Sequence, residues 1–325
     1  MTRPTYTNGT GTGTGVLVQQ VEPRSVAGPR IRRSPPPPAR PVFLDWWELT
    51  KPEISLLVTI SALAGFLFAS PEDVAGPLLG WTLAGTALSA AGVGVLNHWL
   101  ERGADALMRR TAARPLPSGR VKPAAALAFG VSLALVGIGI LVFLVNGLTA
   151  FLAALTVALY LGVYTPLKRR TPWNTLVGTI PGGLPAFGGY VAAAGIPGAA
   201  AWALFAILVL WQMPHFLALA WMYRKDYARA GFAMLPVVSP DGRSTARQAL
   251  TFAALLVIAG VVPTLVGAAG WVYFSGTLAL SLWFLVPTYA FYRSHSTRDA
   301  RRVLVGSIFY IPVLVLLILV DRWVV

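Results

Sequence analysis

The chain has 325 residues, 56% of them hydrophobic and only 12% charged, with a formal net charge of +14 and no cysteine. A soluble domain carries about 25% charged residues, so this composition describes a polytopic membrane protein. The lack of cysteine excludes disulfides, cysteine-ligated zinc, thiol redox chemistry and covalent c-type haem attachment.

Residues 1 to 42 read as a separate region, rich in Thr, Gly, Pro and Arg, with a proline run at Pro35–Pro38. No apolar stretch lies there, so it is not a secretory signal. Its composition predicts a disordered, basic, cytoplasmic tail. A mitochondrial transit peptide is the alternative, and the Pro and Gly content argues against it. Residues 43–325 form the membrane-embedded domain. Nine apolar segments are long enough to span a bilayer as helices, near 53–70, 75–98, 123–145, 148–165, 173–194, 200–222, 246–268, 271–292 and 302–321. The expected fold class is therefore all-α, a polytopic bundle.

Positive residues fall in alternate connections. After the second segment come Arg102, Arg109, Arg110, Arg114, Arg120 and Lys122; after the fourth, Lys168, Arg169 and Arg170. After the sixth come Arg224, Lys225, Arg229, Arg243 and Arg247; after the eighth, Arg293, Arg298, Arg301 and Arg302. Arg322 alone falls on the other side. The positive-inside rule then puts the N-terminus in the cytoplasm and explains the net charge by topology rather than by nucleic-acid binding.

The second segment ends in Asn97, Glu101 and Asp105, four residues apart. That spacing lines one helix stripe. Acids at a helix C-terminus oppose the macrodipole, and a bound cation would offset that. Oxygen donors in a stripe suit Mg²⁺ when water and phosphate oxygens fill its other positions. His98 points off the stripe. Arg109, Arg110 and Arg114 follow in the loop, and arginine binds phosphate oxygens bidentately. Arg120 and Lys122 read as topogenic charge. Between the fourth and fifth segments, Lys168 in Tyr164-Thr165-Pro166-Leu167-Lys168 offers a point charge to a phosphate. The fifth segment holds Pro181-Gly182-Gly183-Leu184-Pro185, which suits close helix packing or a broken helix lining a cavity. In the sixth, Trp211-Gln212-Met213-Pro214-His215, Pro214 predicts a break or kink. His215 serves either ligand contact or packing. Asp226, beside Arg224 and Lys225, is a second acid at the same inner face, and ionisable groups there suggest function. His295 lies in a polar loop without a role.

These residues carry a resemblance. Asn97-x-x-x-Glu101-x-x-x-Asp105 followed by Met108-x-Arg110-Thr111-x-x-Arg114-Pro115-Leu116 resembles the first motif of the UbiA prenyltransferase superfamily. Leu49-Thr50-Lys51-Pro52, Tyr164-Thr165-x-x-Lys168-Arg169, Trp211-x-x-Pro214-His215-Phe216 and the block from Asp226 to Pro236 narrow the resemblance to its haem-farnesylating branch. It covers residues 43 to 322. It implies a nine-transmembrane-helix bundle around a central cavity open to the cytoplasm and the lipid bilayer, in the cell inner (plasma) membrane. It implies farnesyl transfer from farnesyl diphosphate to a vinyl group of haem b, with the product passing to haem A synthase or haem–copper oxidase assembly. Asn97, Glu101, Asp105 and Asp226 would hold Mg²⁺. Arg109, Arg110, Arg114, Lys168 and Lys225 would meet the diphosphate, with Tyr164, Trp211 and His215 along the substrates. Gly103 departs from the acid usual at its position but lies off the carboxylate stripe. The alternatives are a different aromatic or lipid acceptor, or a secondary transporter.

Overall fold

The computed structural model describes residues 41–69 and 76–324. The tail expected over residues 1 to 42 lies outside them except for its last two residues. Among the described residues the chain is helical and holds no strand. In order, the helices are α1 (Val42–Leu49), α2 (Pro52–Ala69), α3 (Gly76–Asp105), α4 (Pro123–Leu144) and α5 (Gly147–Ala158). A π-helical stretch (Leu159–Tyr164) and α6 (Thr165–Leu167) continue α5. Then follow α7 (Asn174–Ala194), α8 (Ala199–Met222), α9 (Arg224–Arg229), α10 (Leu235–Val238), α11 (Arg243–Leu265), α12 (Trp271–Ser294) and α13 (Thr297–Val324).

Eight helices among the described residues are long and apolar enough to cross a membrane: α2, α3, α4, the α5–α6 run, α8, α11, α12 and α13. The remaining expected segment, α7, is a 21-residue helix too rich in Gly, Pro, Thr and Asn to join them. Its position explains its composition. It packs between α2, α5 and α8, and 13 of its residues are buried, so its neighbours are protein rather than lipid. Side chains on the outer helices, such as Phe143, Leu135, Ile258 and Val286, are exposed and apolar, as a lipid-facing surface requires.

Small residues bring α2 and α7 into backbone contact. A Cβ at Gly65 would lie 1.8 Å from the Ala186 carbonyl oxygen, and one at Gly189 would lie 1.9 Å from that of Ala62. Close approach of this kind is how helices gain packing contacts inside a membrane. The larger core joins α8, α11, α12 and α13 through Leu204, Leu208, Leu256, Phe284, Tyr310 and Leu314. At one end of this core the buried Asp321 accepts from the backbone N–H groups of Gly270 (2.6 Å) and Tyr273 (2.9 Å). These are orphan donors at the start of α12.

Pro214 does not break α8, which runs unbroken from Ala199 to Met222. A proline removes one backbone donor, and neighbouring helices and side chains can re-satisfy the freed groups inside a membrane bundle. Unbroken, α8 keeps Trp211 and His215 on one face, four residues apart.

Candidate active site

The acidic stripe sits on the last turns of α3, where Asn97 and Asp105 are buried. Each member of the stripe faces a cation or its donor. Lys51 Nζ donates to Asn97 Oδ1. Asn97 Nδ2 in turn donates to Thr165 Oγ1 at 3.3 Å. Lys168 Nζ pairs with Glu101 Oε1 at 2.7 Å. Arg114 Nη1 reaches both oxygens of Asp105, at 3.0 and 2.9 Å, and Thr111 Oγ1 donates to the Asp105 carbonyl oxygen at 2.9 Å. Burial would depress the Lys168 pKa, but Glu101 overrides it and holds the ammonium well above the usual lysine value. Burial dominates at Lys51, lowering it to about 7 against the pull of Glu101.

Lys51 is a site residue to which the sequence assigned no role, although it stands in the Leu49-Thr50-Lys51-Pro52 motif. It has φ 49°, a conformation rare for non-glycine residues, and it joins α1 to α2 with its side chain turned onto the stripe. The available signal was the Lys51-Pro52 pair, since a residue before proline is steered away from helical geometry. Arg120, read as topogenic, also pins α1. Its Nε reaches the two oxygens of the buried Asp45 at 3.0 and 3.1 Å.

Asp226 lies on α9 and pairs with Arg229. It shares a cleft with Arg109, Tyr223, Arg224, Lys225 and Arg229, so an arginine of the first block faces the second acid. Arg110 stacks over the Tyr223 ring at 4.7 Å. A small apolar cluster of Ala104, Met108, Ala220, Ala230, Phe232 and Met234 connects the ends of α3 and α8 to the segment after α9. That segment is anchored by the Ala233 N–H, which donates to the Lys168 carbonyl oxygen at 2.7 Å. The two acidic groups thus flank one apolar cluster at one end of the bundle. Among the described residues no three His, Asp or Glu side chains sit close enough to share an ion. Gly103 is open, since a Cβ there would meet none of the described residues within 4 Å.

Behind Lys51 extends a largely apolar cavity between α2, α3, α5, α7 and α8. Tyr160 and Tyr164 line it from the π-helical stretch, and Gln212, Trp211, His215 and Phe216 line it from α8. The Tyr160 and Tyr164 rings lie 5.2 Å apart, and Lys168 Nζ lies 4.6 Å from the Tyr164 ring centre. π-helical turns inside α-helices recur at functional sites. Gly178 makes room for this one, because a Cβ there would come within 2.6 Å of the Tyr164 ring. His98 is buried, its Nδ1 unpartnered among the described residues, and does not line the cavity.

Residues 58–312 match the UbiA prenyltransferase family. The chain is 60% identical over 277 residues to the protoheme IX farnesyltransferase of Salinibacter ruber, covering 85% of this chain and 98% of that protein. It is 47% identical over 287 residues to the protoheme IX farnesyltransferase of Solibacter usitatus, covering 86% and 98%. Among solved structures it superposes on digeranylgeranylglyceryl phosphate synthase with a TM-score of 0.72 at 17% identity, over 87% of this chain and 99% of the other. A UbiA homolog from Archaeoglobus fulgidus bound to GPP and Mg²⁺ gives a TM-score of 0.65 at 16% identity, over 84% and 99%. At these identities the two structures establish the fold.

Proposed function

Because the chain belongs to the UbiA prenyltransferase family and shares most of its length with protoheme IX farnesyltransferases, we propose a role for each residue of its site in that reaction. The enzyme transfers the farnesyl group of farnesyl diphosphate to a vinyl group of haem b, giving haem O and diphosphate. The secondary-transporter alternative falls with the family assignment, and a non-haem acceptor falls with the likeness to protoheme IX farnesyltransferases over most of the chain.

One observation carries the assignment of roles. Lys51, Lys168 and Arg114 contact Asn97, Glu101 and Asp105, and Lys51 also lines the apolar cavity. A prenyl diphosphate has matching halves, an anionic head and a hydrocarbon tail. Lys51, Lys168 and Arg114 take the diphosphate, with Arg109 and Lys225 from the adjoining cleft and Arg110 beside it over the Tyr223 ring. The farnesyl chain lies along the apolar wall past Tyr160 and Tyr164, and Trp211 and His215 border the haem.

Asn97, Glu101, Asp105 and Asp226 hold Mg²⁺. Their oxygen donors fit a hard cation, and Mg²⁺ is commonly held by one or two carboxylates with phosphate and water oxygens completing its shell. Acids too far apart for a protein-only cage therefore suit an ion that arrives with its diphosphate. When bound, the ion stabilises charge developing on the leaving group.

The bases and acids of this site have no nucleophilic task. The vinyl π electrons attack the allylic carbon, diphosphate departs with the electrons of the C–O bond, and water captures the new cation and loses a proton. Lysine and arginine side chains meet the departing negative charge, and the apolar wall keeps water from the allylic carbon before attack. The positive loops support a cytoplasmic N-terminus, and the reading places the bundle in the plasma membrane, with the product passing to haem A synthase or haem–copper oxidase assembly.

Asp105→Asn and Asp226→Asn test these roles in a host whose haems are extracted and separated. Each should lower haem O formation by about 10²-fold or more with unchanged protein in the membrane. Undiminished haem O in either variant removes that residue from the site.

A further inference from the structure

We infer that His215 is an axial ligand of the acceptor haem iron and that Ser307 fixes it in the ligating tautomer. This rests on the haem-farnesylating reading above. Ser307 lies on α13, fully buried, and its hydroxyl has one proton to give. We place that proton in the hydrogen bond to the Leu304 carbonyl oxygen, 2.6 Å away, which can only accept. The Ser307 oxygen therefore meets the His215 ring, 2.7 Å from Nδ1, as an acceptor. Nδ1 carries the imidazole proton, and Nε2 keeps its lone pair.

Nε2 forms no hydrogen bond among the described residues, while the ring lines the apolar cavity. That nitrogen is not sealed in the core but open to the cavity, where an incoming ligand can reach it. The ring is also held in place. It lies 5.6 Å from the Trp211 ring and 5.4 Å from the Phe216 ring. Trp211 is itself tied to α13, with Nε1 donating to the Ser307 carbonyl oxygen at 2.9 Å. Metal-ligating histidines almost always donate their other nitrogen to a fixed acceptor, which sets tautomer and ring orientation. Axial ligation engages the face of the porphyrin and leaves its vinyl-bearing edge free to react.

The test uses the full-length protein in lipid nanodiscs, titrated with ferric protoporphyrin IX in the absence of farnesyl diphosphate, with optical and electron paramagnetic resonance spectra recorded. The wild type should give the signature of imidazole-ligated ferric haem. His215→Ala should lose that signature and bind haem at least tenfold more weakly, and added imidazole should restore the spectrum, which also reports an intact cavity. Ser307→Ala should keep nitrogen ligation but weaken haem binding several-fold and shift the resonance g values, which a merely structural role would not do. An unchanged imidazole signature in His215→Ala overturns the inference. So does a wild type that makes haem O yet binds haem without a nitrogen ligand, and that outcome spares the function. A wild type that neither binds haem nor makes haem O overturns both.

Discussion

At the scale of single residues, the site works by charge pairing in a buried setting. Lys168 and Glu101 are both largely shielded from solvent. Removing one partner of a buried pair leaves the other uncompensated, which costs roughly 3–5 kcal/mol. Lys168→Met should therefore lower both farnesyl transfer and the thermal midpoint of the detergent-purified protein. Lys51 differs, because its partner is the neutral amide of Asn97. Lys51→Met should raise KM for farnesyl diphosphate by about tenfold, the loss of one charge-assisted contact, with little change in thermal midpoint. Steady-state kinetics beside a melting curve separates the two. Asn97, Glu101 and Asp105 were legible in the sequence because a four-residue spacing can be read without a fold. Lys51 and Ser307 were not, since each acts on a residue 46 or more positions away.

Individual helices carry meaning that composition conceals. The π-helical stretch Leu159–Tyr164 has no sequence signature, yet it turns both Tyr160 and Tyr164 to the cavity. Hydropathy ranks α7 below its neighbours, although it stands among the most buried helices of the bundle. Its contact with α2 is backbone on backbone, so the glycines there are steric requirements. Gly65→Ala should destabilise the protein by about 1–3 kcal/mol through overpacking, read as a lower thermal midpoint in detergent. Gly139→Ala serves as the comparison, because a Cβ there meets none of the described residues within 4 Å, and it should leave the midpoint unchanged.

For the whole molecule, the natural lack of cysteine gives a direct test of topology. Single cysteines at Ala112 or Ala228, both at the end of the bundle that carries the site, should react with a membrane-impermeant maleimide only after the membrane is opened. Cysteines at Leu148, exposed in the first turn of α5, or at Ile196, exposed between α7 and α8, should react in intact cells. The reverse pattern would invert the orientation. Fold class, the alternation of charged loops and the α3 acid stripe were all determined by the sequence alone. Each depends on local composition or on helical periodicity, which the bilayer and the backbone impose on any chain. Tertiary structure decided the rest: the shielded place of α7, the survival of α8 through Pro214, the Lys51 contact, and the pairing of His215 with Ser307. Those features arise from side chains far apart in sequence meeting in a packed interior, and no local pattern encodes such a meeting.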